Sequence, residues 1–438
     1  MMIRRTIHQL MKVGRQLTVG STHAMTRVTR AGVSFLLVAT MMLLMTDCER
    51  MPELHLRIRK PIVLTLSEFG LRFETYWSYQ LLYDIEYHWE AEWYNCYGWD
   101  EEDEKLFGPI GYPEPTAFNL YRYHTGSTPY APHTTVMEHY VPGHEFVDSF
   151  ELGFWDLLVF NQLVHDPADT HLDKTTTLDS VFAYTSQDYQ VPAVRSLPQF
   201  PYAFYQPEPI YSAYTRAIEI NADHENDPSW SYDPVRDVYI KRLDMTLMPV
   251  TYIYLTQVIL RHNKRRVVGI DGRATLSGMA RSTNINTGHS GSDDISHYFF
   301  MRFKSDRHYQ RPFTEEDTIY RDEQADMIGG MLMTFGLPDF TPSYYLDASV
   351  DKEQRRRDLE EKLKSDVRHY LDLKVQWNHG RDTTFTFDVT DQVRKRFRGG
   401  VITVEIDMDT VPTPNPNPHS TFDAVVKDYD TITHVIDM

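Results

Sequence analysis

The chain is poor in cysteine, in positive charge and in long apolar runs, and each shortage excludes a class of protein. Two cysteines in 438 residues exclude a disulfide-dense scaffold and a zinc site built from four thiolates. A net charge of −18 argues against nucleic acid as a partner, because phosphate binding needs clustered Lys and Arg. The chain does have 41% hydrophobic and 13% aromatic residues, which predicts folded domains rather than a disordered chain.

The first 47 residues have the pattern of an export signal. Residues 1–30 contain six basic residues and no acidic one, and an apolar run of 14 residues follows at 33–46. A span of about 30 Å of hydrocarbon takes about 20 residues, so this run is too short to cross a membrane but suits a signal peptide. Because the basic stretch before it is long, the sequence leaves open whether translation starts at Met1 or at Met25.

Cys48 follows the apolar run directly, between Asp47 and Glu49. A cysteine in this place is similar to the lipobox of bacterial lipoproteins, in which the thiol is acylated and becomes the mature N-terminus. Asp47 departs from the small residue that lipoboxes usually carry, and the alternative is a secreted protein in which Cys48 is incidental. We predict that Cys48 is the lipidation site, because two or three acyl chains hold a protein stably on a membrane.

The remainder of the chain consists of short apolar or alternating segments bounded by turn residues, the pattern of antiparallel β-sandwiches. The clearest predicted strands are 118–123, 154–160, 250–260, 371–377, 385–389 and 402–406. A polar segment at 221–236 is the best linker by composition. The predicted organisation is an all-β chain with a signal peptide at 1–47, β-sandwich domains at 48–225 and 236–410, and a Pro-rich spacer and tail at 411–438.

Two short helices are expected in the second half of the chain. Leu359, Leu363 and Val367 recur every fourth residue in a charged stretch, which gives one apolar stripe. Thr390 is expected to cap a second, turn-length helix that packs Val393 and Phe397 and stops at Gly399-Gly400.

Four segments carry a recognisable pattern: GFWDLLVFN at 153–161, ATLSGMA at 274–280, FTFDVTDQV at 385–393, and the acidic tail 428–438. In this order they resemble a family of Bacteroidota surface lipoproteins of uncharacterised function, related to fimbrial anchor and fimbrillin-like proteins. In the first segment Trp155 and Phe160 replace two tyrosines of the family pattern. The resemblance implies two tandem transthyretin-like sandwiches on an outer-membrane lipid anchor, without a known catalytic residue to carry over.

Motifs that mark an enzyme do not appear in the sequence. Neither a P-loop nor a GxGxxG segment is present, and His144-Glu145 has no second histidine one helical turn later. The segment from Gly288 lacks the last glycine of a nucleophile elbow. We therefore predict no enzymatic activity, no cofactor and no metal site. A hydrolase with a site scattered across loops remains an alternative that no residue supports.

Polar clusters are expected at the surface. His133, His139 and His144 lie on polar segments, where histidines are mostly surface residues rather than ligands. The acidic run at 100–104 lacks the alternating spacing and the glycine of an EF-hand loop. We expect a solvated loop there and not a calcium site.

Ten aromatic residues lie between positions 76 and 99, and four of them are tryptophans: Trp77, Trp89, Trp93 and Trp99. Such a cluster is either sandwich core with cross-strand pairs, or a platform that stacks on a sugar or a partner. The four tryptophans are therefore a candidate ligand or partner patch. Cys96, the only thiol besides Cys48, is expected to be buried among these rings.

The sequence as a whole predicts a non-enzymatic, lipid-anchored protein of the outer membrane and cell surface. Its role would be that of an anchor, minor or accessory subunit of a fimbria-like adhesive assembly, with fimbrial subunits bound by addition of a strand to an open sheet edge. The segment 421–438 would either dock on its own chain or be lent to a partner. The alternative function is a surface glycan-binding lipoprotein of a polysaccharide-uptake system.

Replacing Cys48 with alanine is expected to abolish incorporation of labelled palmitate, because the acylated thiol is then missing. The measurement is the label carried by the protein purified from producing cells, and Cys96→Ala is the matched control that should keep its label. Equal labelling of Cys48→Ala and of the unchanged protein would contradict lipidation at this residue.

Overall fold

A computed structural model gives the fold of the chain. It describes residues 62–68, 71–79, 92–111, 114–142, 150–163, 170–173, 178–197, 199–221, 228, 230–235, 238–310, 322–341 and 351–414. The chain divides into two compact units, Met1–Pro52 and Glu53–Met438, and every described residue belongs to the second. The predicted signal peptide, Cys48, Trp89, His144 and the tail from residue 415 onward lie outside the described residues.

Strands dominate the described part of the chain. In the first half they are β1 (Ile62–Glu68), β2 (Leu71–Tyr79), β3 (Ala117–Gly126), β4 (Thr135–Pro142), β5 (Gly153–Asn161), β6 (Thr170–Asp173), β7 (Phe182–Thr185), β8 (Gln187–Leu197), β9 (Phe200–Phe204), β10 (Tyr211–Ile220) and β11 (Trp230–Asp233). In the second half they are β12 (Val238–Pro249), β13 (Tyr252–Arg261), β14 (Val267–Ala280), β15 (Ser282–Asn284), β16 (Asp294–Phe300), β17 (Arg302–Gln310), β18 (Asp322–Thr334), β19 (Tyr370–Trp377), β20 (Asp382–Asp388) and β21 (Gly400–Asp407). The predicted all-β fold class is confirmed, while the domain boundaries stay a prediction.

The helical segments are short. They are a π-helical turn at Glu92–Tyr97, a 3-10 turn at Leu178–Ser180, and the helices α1 (Glu101–Phe107), α2 (Lys352–Lys362) and α3 (Thr390–Lys395). Helices lie close to both expected places in the second half. α2 contains Leu359 but ends before Val367, and Val389 rather than Thr390 is the N-cap of α3. None of the described helices is long and apolar enough to cross a membrane.

The strands form four sheets. The largest has the order β1-β2-β12-β10-β5-β3-β4, with β11 paired to β12, and the second has the order β20-β19-β14-β16-β9-β8. The third is β17-β18-β13-β21 and the smallest is β15-β7-β6. Among the described strands, three neighbouring pairs are parallel, namely β2 with β12, β13 with β21 and β9 with β16. The other pairs are antiparallel.

The apolar run predicted at 250–260 becomes β13, a strand that is buried on both faces. Tyr254 and Val258 face a core shared with β14, β19, β20 and β21. Ile253 and Leu255 point to the opposite face, where they pack with residues of β18 and of the π-helical turn. A strand covered on both sides needs a nearly continuous apolar sequence, which is why β13 shows no polar alternation.

The acidic run at 100–104 is part of a helix and not the solvated loop that the sequence suggested. Asp100 is the N-cap of α1, and its side chain accepts hydrogen bonds from the backbone N–H groups of Glu102 (3.0 Å) and Asp103 (3.1 Å). Asp103 accepts in return from the N–H of Asp100 (2.9 Å). This reciprocal pair is a capping box, and the further carboxylates suit the positive end of the helix dipole.

Asp103 also joins α1 to the third sheet. Its buried carboxylate binds the ammonium of Lys304 and lies 3.0 Å from Nη1 of Arg302, both on β17. The hydroxyl of Tyr97 donates a hydrogen bond of 2.9 Å to the same carboxylate. Burial, reinforced by the Asp103 charge, raises the pKa of Tyr97, so the phenol stays protonated. The segment 92–107 is therefore attached to β17 by buried charges as well as by its apolar residues.

Replacing Lys304 with methionine is expected to lower the free energy of unfolding by about 3 kcal/mol, because it leaves the buried Asp103 carboxylate short of a cation. The matched control is Lys264→Met. That lysine forms an exposed pair with Asp409, which is worth about 0.5 kcal/mol. Urea denaturation of both variants is the measurement, and equal losses in the two variants would contradict a structural role for the buried pair.

Two buried histidines make the stability of the fold sensitive to acid. Burial lowers the pKa of His297 and of His369 from 6.5 to about 4. Between these values the unfolded chain binds more protons than the folded chain, so the free energy of unfolding decreases as the pH falls from 6.5 toward 4. The expected loss is about 1 kcal/mol per pH unit for each histidine.

Replacing His297 with glutamine is expected to reduce this pH dependence, because one of the two titrating groups is removed. Unfolding by urea at pH 7.5, 6 and 5 is the measurement. A slope that is the same in His297→Gln as in the unchanged protein would show that other groups cause the acid sensitivity.

Candidate functional site

The largest sheet ends in a regular edge strand, β4. It pairs with β3 in an unbroken antiparallel register from Thr135 opposite His124 to Pro142 opposite Ala117. No described strand pairs with its other side. An edge strand of this kind presents a row of backbone N–H and C=O groups that a further strand can satisfy.

The hydrogen-bond pattern shows which residues of β4 direct their backbone groups away from the sheet. The N–H of Gln162 donates to the C=O of Ala117 (2.8 Å), so the odd-numbered residues of β3 bond toward β5. Along an antiparallel strand, successive residues direct their backbone hydrogen bonds to opposite neighbouring strands. The even-numbered residues of β3 therefore bond to β4, and their partners on β4 are odd-numbered. Val136 and Tyr140 therefore direct their N–H and C=O groups outward.

The side chains of β4 do little to protect this edge. Val136 is 37% exposed and Tyr140 is 55% exposed. The strand contains no lysine or arginine, its one charged residue is Glu138, and its only proline is its last residue, Pro142. Lysine, proline and bulges are the usual devices that stop an edge strand from pairing with another chain. β4 lacks all three along 135–141, so its edge is suited to accept a strand.

Four other edge strands carry such devices. At β21 the side-chain amide of Gln392 donates to the C=O of Thr403 (2.8 Å) and accepts from its N–H (2.9 Å), as a neighbouring strand would. β20 begins at Asp382 and ends at Asp388. β8 contains Pro192 and shifts its register along β9. Arg302 and Lys304 of β17 bind α1, and the π-helical turn packs on the same strand.

A buried arginine fixes β4 to the sheet from beneath. Arg122 of β3 is only 1% exposed, and its Nε donates to Nε2 of His139 (3.1 Å) on β4. A second nitrogen lies 3.0 Å from the sulfur of Met137. The guanidinium also lies over the rings of Phe150 (4.5 Å) and Trp155 (5.6 Å). Hydrogen bonds and aromatic faces offset the burial of the charge, so Arg122 holds β4 in a defined position.

A second buried pair holds the turn that leads into β4. Nε2 of His133 lies 3.0 Å from Oδ2 of Asp156, and both side chains are less than a tenth exposed. The other oxygen of Asp156 accepts from the N–H of Ala217 (2.8 Å), which has a φ of 54° at a bulge of β10. Asp156 is the one carboxylate within the apolar run of β5, and it connects this turn to β10.

Sequence reasoning did not identify these polar contacts. His133 and His139 were expected at the surface, and both instead bond to buried side chains, Asp156 and Arg122, on opposite faces of the sheet. The signal that was available is the charge inside each apolar strand, Arg122 in β3 and Asp156 in β5, because a charge within such a strand is rarely buried without a partner. The identity of each partner could not be found in the same way.

The predicted tryptophan patch is only partly described. Trp93 is fully buried, with its ring centroid 4.5 Å from that of Tyr97 and 5.9 Å from that of Trp99. Trp93 therefore offers no face to a ligand, and Cys96 is buried in the same core as expected. Trp99 is partly buried against this core. Trp77 lies in β2 and Trp89 lies outside the described residues, so the patch as a whole stays a prediction.

One group of possible metal ligands occurs in the described residues. Donor atoms of His262, Asp407 and Asp409 all lie within 4.8 Å of one another. Asp407 is 2.9 Å from Nδ1 of His262, a contact that lowers the pKa of Asp407. Nζ of Lys264 lies 2.7 and 2.8 Å from the two oxygens of Asp409. Because Asp407 pairs with His262 and Asp409 pairs with Lys264, we interpret the group as a surface ion-pair network.

No family model and no curated protein matches the chain. Among solved structures it is similar to an adhesin candidate from Bacteroides ovatus (14% identity, TM-score 0.41, 69% of this chain and 88% of that one). It is also similar to an adhesin candidate from Bacteroides thetaiotaomicron (8% identity, TM-score 0.34, 80% of this chain and 93% of that one). A third similar structure is the fimbrial anchor protein Mfa2 from Porphyromonas gingivalis (13% identity, TM-score 0.32, 69% of this chain and 86% of that one). These are Bacteroidota surface proteins of the kind that the sequence motifs resemble, but the likeness is too distant to transfer a function.

Proposed function

We propose that the protein is a non-enzymatic subunit of an adhesive, fimbria-like surface assembly and that it binds an extended segment of a partner subunit along β4. The observation that supports this proposal is the edge of β4, where Val136 and Tyr140 direct backbone groups outward and no described strand meets them. A partner segment would continue the largest sheet by one strand. Main-chain hydrogen bonds would then supply affinity, and alternate side chains would supply specificity.

The buried contacts at β4 favour such binding because they fix the strand before a partner arrives. Arg122 holds the middle of β4 through His139, and the His133–Asp156 pair holds the turn that precedes it. An edge that frays must be ordered on binding, and that ordering reduces affinity. An edge held by buried polar contacts avoids this loss.

The second part of the proposal concerns the location of the protein. We infer that Cys48 carries an acyl anchor that tethers the chain to the outer membrane at the cell surface, as the signal-like segment 1–47 and the lipobox-like context of Cys48 suggest. A tethered protein with an acceptor edge would serve as an anchor or an accessory subunit. The tail 421–438 keeps the two roles that the sequence suggests, docking on its own chain or pairing with a partner.

Replacing Tyr140 with proline is expected to reduce assembly at least about tenfold, because proline removes the outward N–H at the centre of the edge. The bonds to β3 come from odd-numbered residues of β4 and are kept. Assembly is measured as the amount of high-mass fimbrial polymer that co-purifies with the tagged protein from the cell surface. The melting temperature is measured in parallel to confirm folding.

The matched control is Thr384→Pro at the edge of β20. The N–H of Trp377 donates to the C=O of Arg381 (2.7 Å), so alternation directs the backbone groups of Thr384 outward in the same way. This variant should assemble normally. Normal assembly of Tyr140→Pro, or an equal loss in both variants, would contradict the proposal. If Tyr140→Pro does not fold, Tyr140→Lys places a charge on the same edge and should also reduce assembly.

A further inference from the structure

The hairpin of β8 and β9 is joined weakly to the second sheet. The two strands pair with each other at three separated positions, with shifts in register between them. β9 meets the next strand, β16, at a single position, where Phe204 lies opposite His297. On its other side β16 pairs with β14 at seven positions. The outer edge of β16 is therefore covered by β9, which pairs with it at one position only.

The hairpin also contributes to none of the four hydrophobic cores found in the described residues. Val191, Ala203 and Phe204 are buried, but Tyr189 is 74% exposed and Val194 is 55% exposed. A unit with few buried apolar contacts opens at a lower free energy than the rest of a protein. The hairpin is such a unit, and polar contacts must supply much of its attachment.

Charged side chains contact the hairpin at two places. Arg281 lies over the rings of Phe200 (5.4 Å) and Phe204 (5.8 Å), and Arg195 joins β8 to the face of the sheet. The guanidinium carbon of Arg195 lies 3.5 Å from the ring centroid of Tyr370, and its Nε lies 3.6 Å from Oδ2 of Asp372, both on β19. The Asp372 side chain is fully buried, and its other oxygen accepts from the hydroxyl of Thr386. Oδ2 has no hydrogen-bond partner among the described residues. The charge of Arg195 therefore offsets a buried carboxylate only while the hairpin is closed.

A further contact lies at the junction between β9 and β16. His297 is fully buried, and its Nδ1 lies 2.8 Å from the C=O of Tyr205, the residue that follows β9. The neutral ring donates to this carbonyl. The contact holds the end of β9, whereas Arg195 holds β8 about one strand length away.

We infer that the β8–β9 hairpin is a cover over the edge of β16, held closed by Arg195, and that it opens without unfolding of the rest of the chain. Opening would uncover β16, a strand that β14 already holds in an extended form. The inference is independent of the function proposed for β4.

Hydrogen exchange of the full chain, followed by mass spectrometry, tests the inference. Arg195→Met keeps the apolar stem but removes the charge. It is expected to speed exchange about tenfold in 187–204 and 294–300, because the local opening becomes easier. Segments in other sheets, such as 117–124 and 252–261, should exchange as in the unchanged protein.

The matched control is Lys374→Met, on the same strand and the same face as Asp372. Lys374 forms an exposed pair with Asp382 (2.9 Å), and its loss should not affect 294–300. Combining Arg195→Met with Asp372→Asn should add little to the effect of Arg195→Met alone, because the two residues share one contact. Unchanged exchange of 294–300 in Arg195→Met would overturn the inference. A uniform increase in every segment would also overturn it, since it would show global rather than local opening.

Discussion

An edge strand leaves the backbone N–H and C=O groups of one side without a partner in its own sheet, and this chain treats its edges in different ways. At β21, the amide of Gln392 takes the place of a neighbouring strand. At β20, aspartates mark both ends of the strand. At β16, a weakly attached hairpin lies over the edge. At β4, among the described residues, no side chain or hairpin covers the edge, Glu138 is the one charge, and buried polar contacts fix the strand, and these features together make it the candidate site.

Buried charges fix the positions of segments that apolar packing alone would leave free to shift. Asp103 joins the segment before β3 to β17, whose Lys304 is 201 residues away in the sequence. Asp156 joins the turn before β4 to the bulge in β10. Arg122 joins β3 to β4. Apolar contacts are not directional, whereas each of these contacts has a defined geometry, and together they determine where α1 and β4 lie.

The strands were predictable because their signal is local. Alternation or a continuous apolar run is sufficient to identify β5, β13 and β19, whatever lies elsewhere in the chain. The partners of buried groups are not local. The ring of Tyr97 fits against Gly329, where a Cβ atom would lie 2.2 Å from that ring. Nothing near Tyr97 in the sequence indicates this glycine. For the same reason the burial of Trp93 could not be distinguished from exposure, because core and surface aromatic clusters have the same composition.

β4 is the strand on which the proposed function depends, and it was not among the predicted strands. Its weak pattern has a physical cause. One face is exposed to solvent, and the inner face meets the guanidinium of Arg122 through Met137 and His139. The inner face thus includes the polar His139, and the exposed face carries Val136 and Tyr140, so the alternation that identifies a half-buried strand is nearly lost. An edge that is exposed on one face and held by polar contacts on the other is therefore difficult to detect from sequence. The same two features, exposure and firm attachment, are those that an acceptor edge requires.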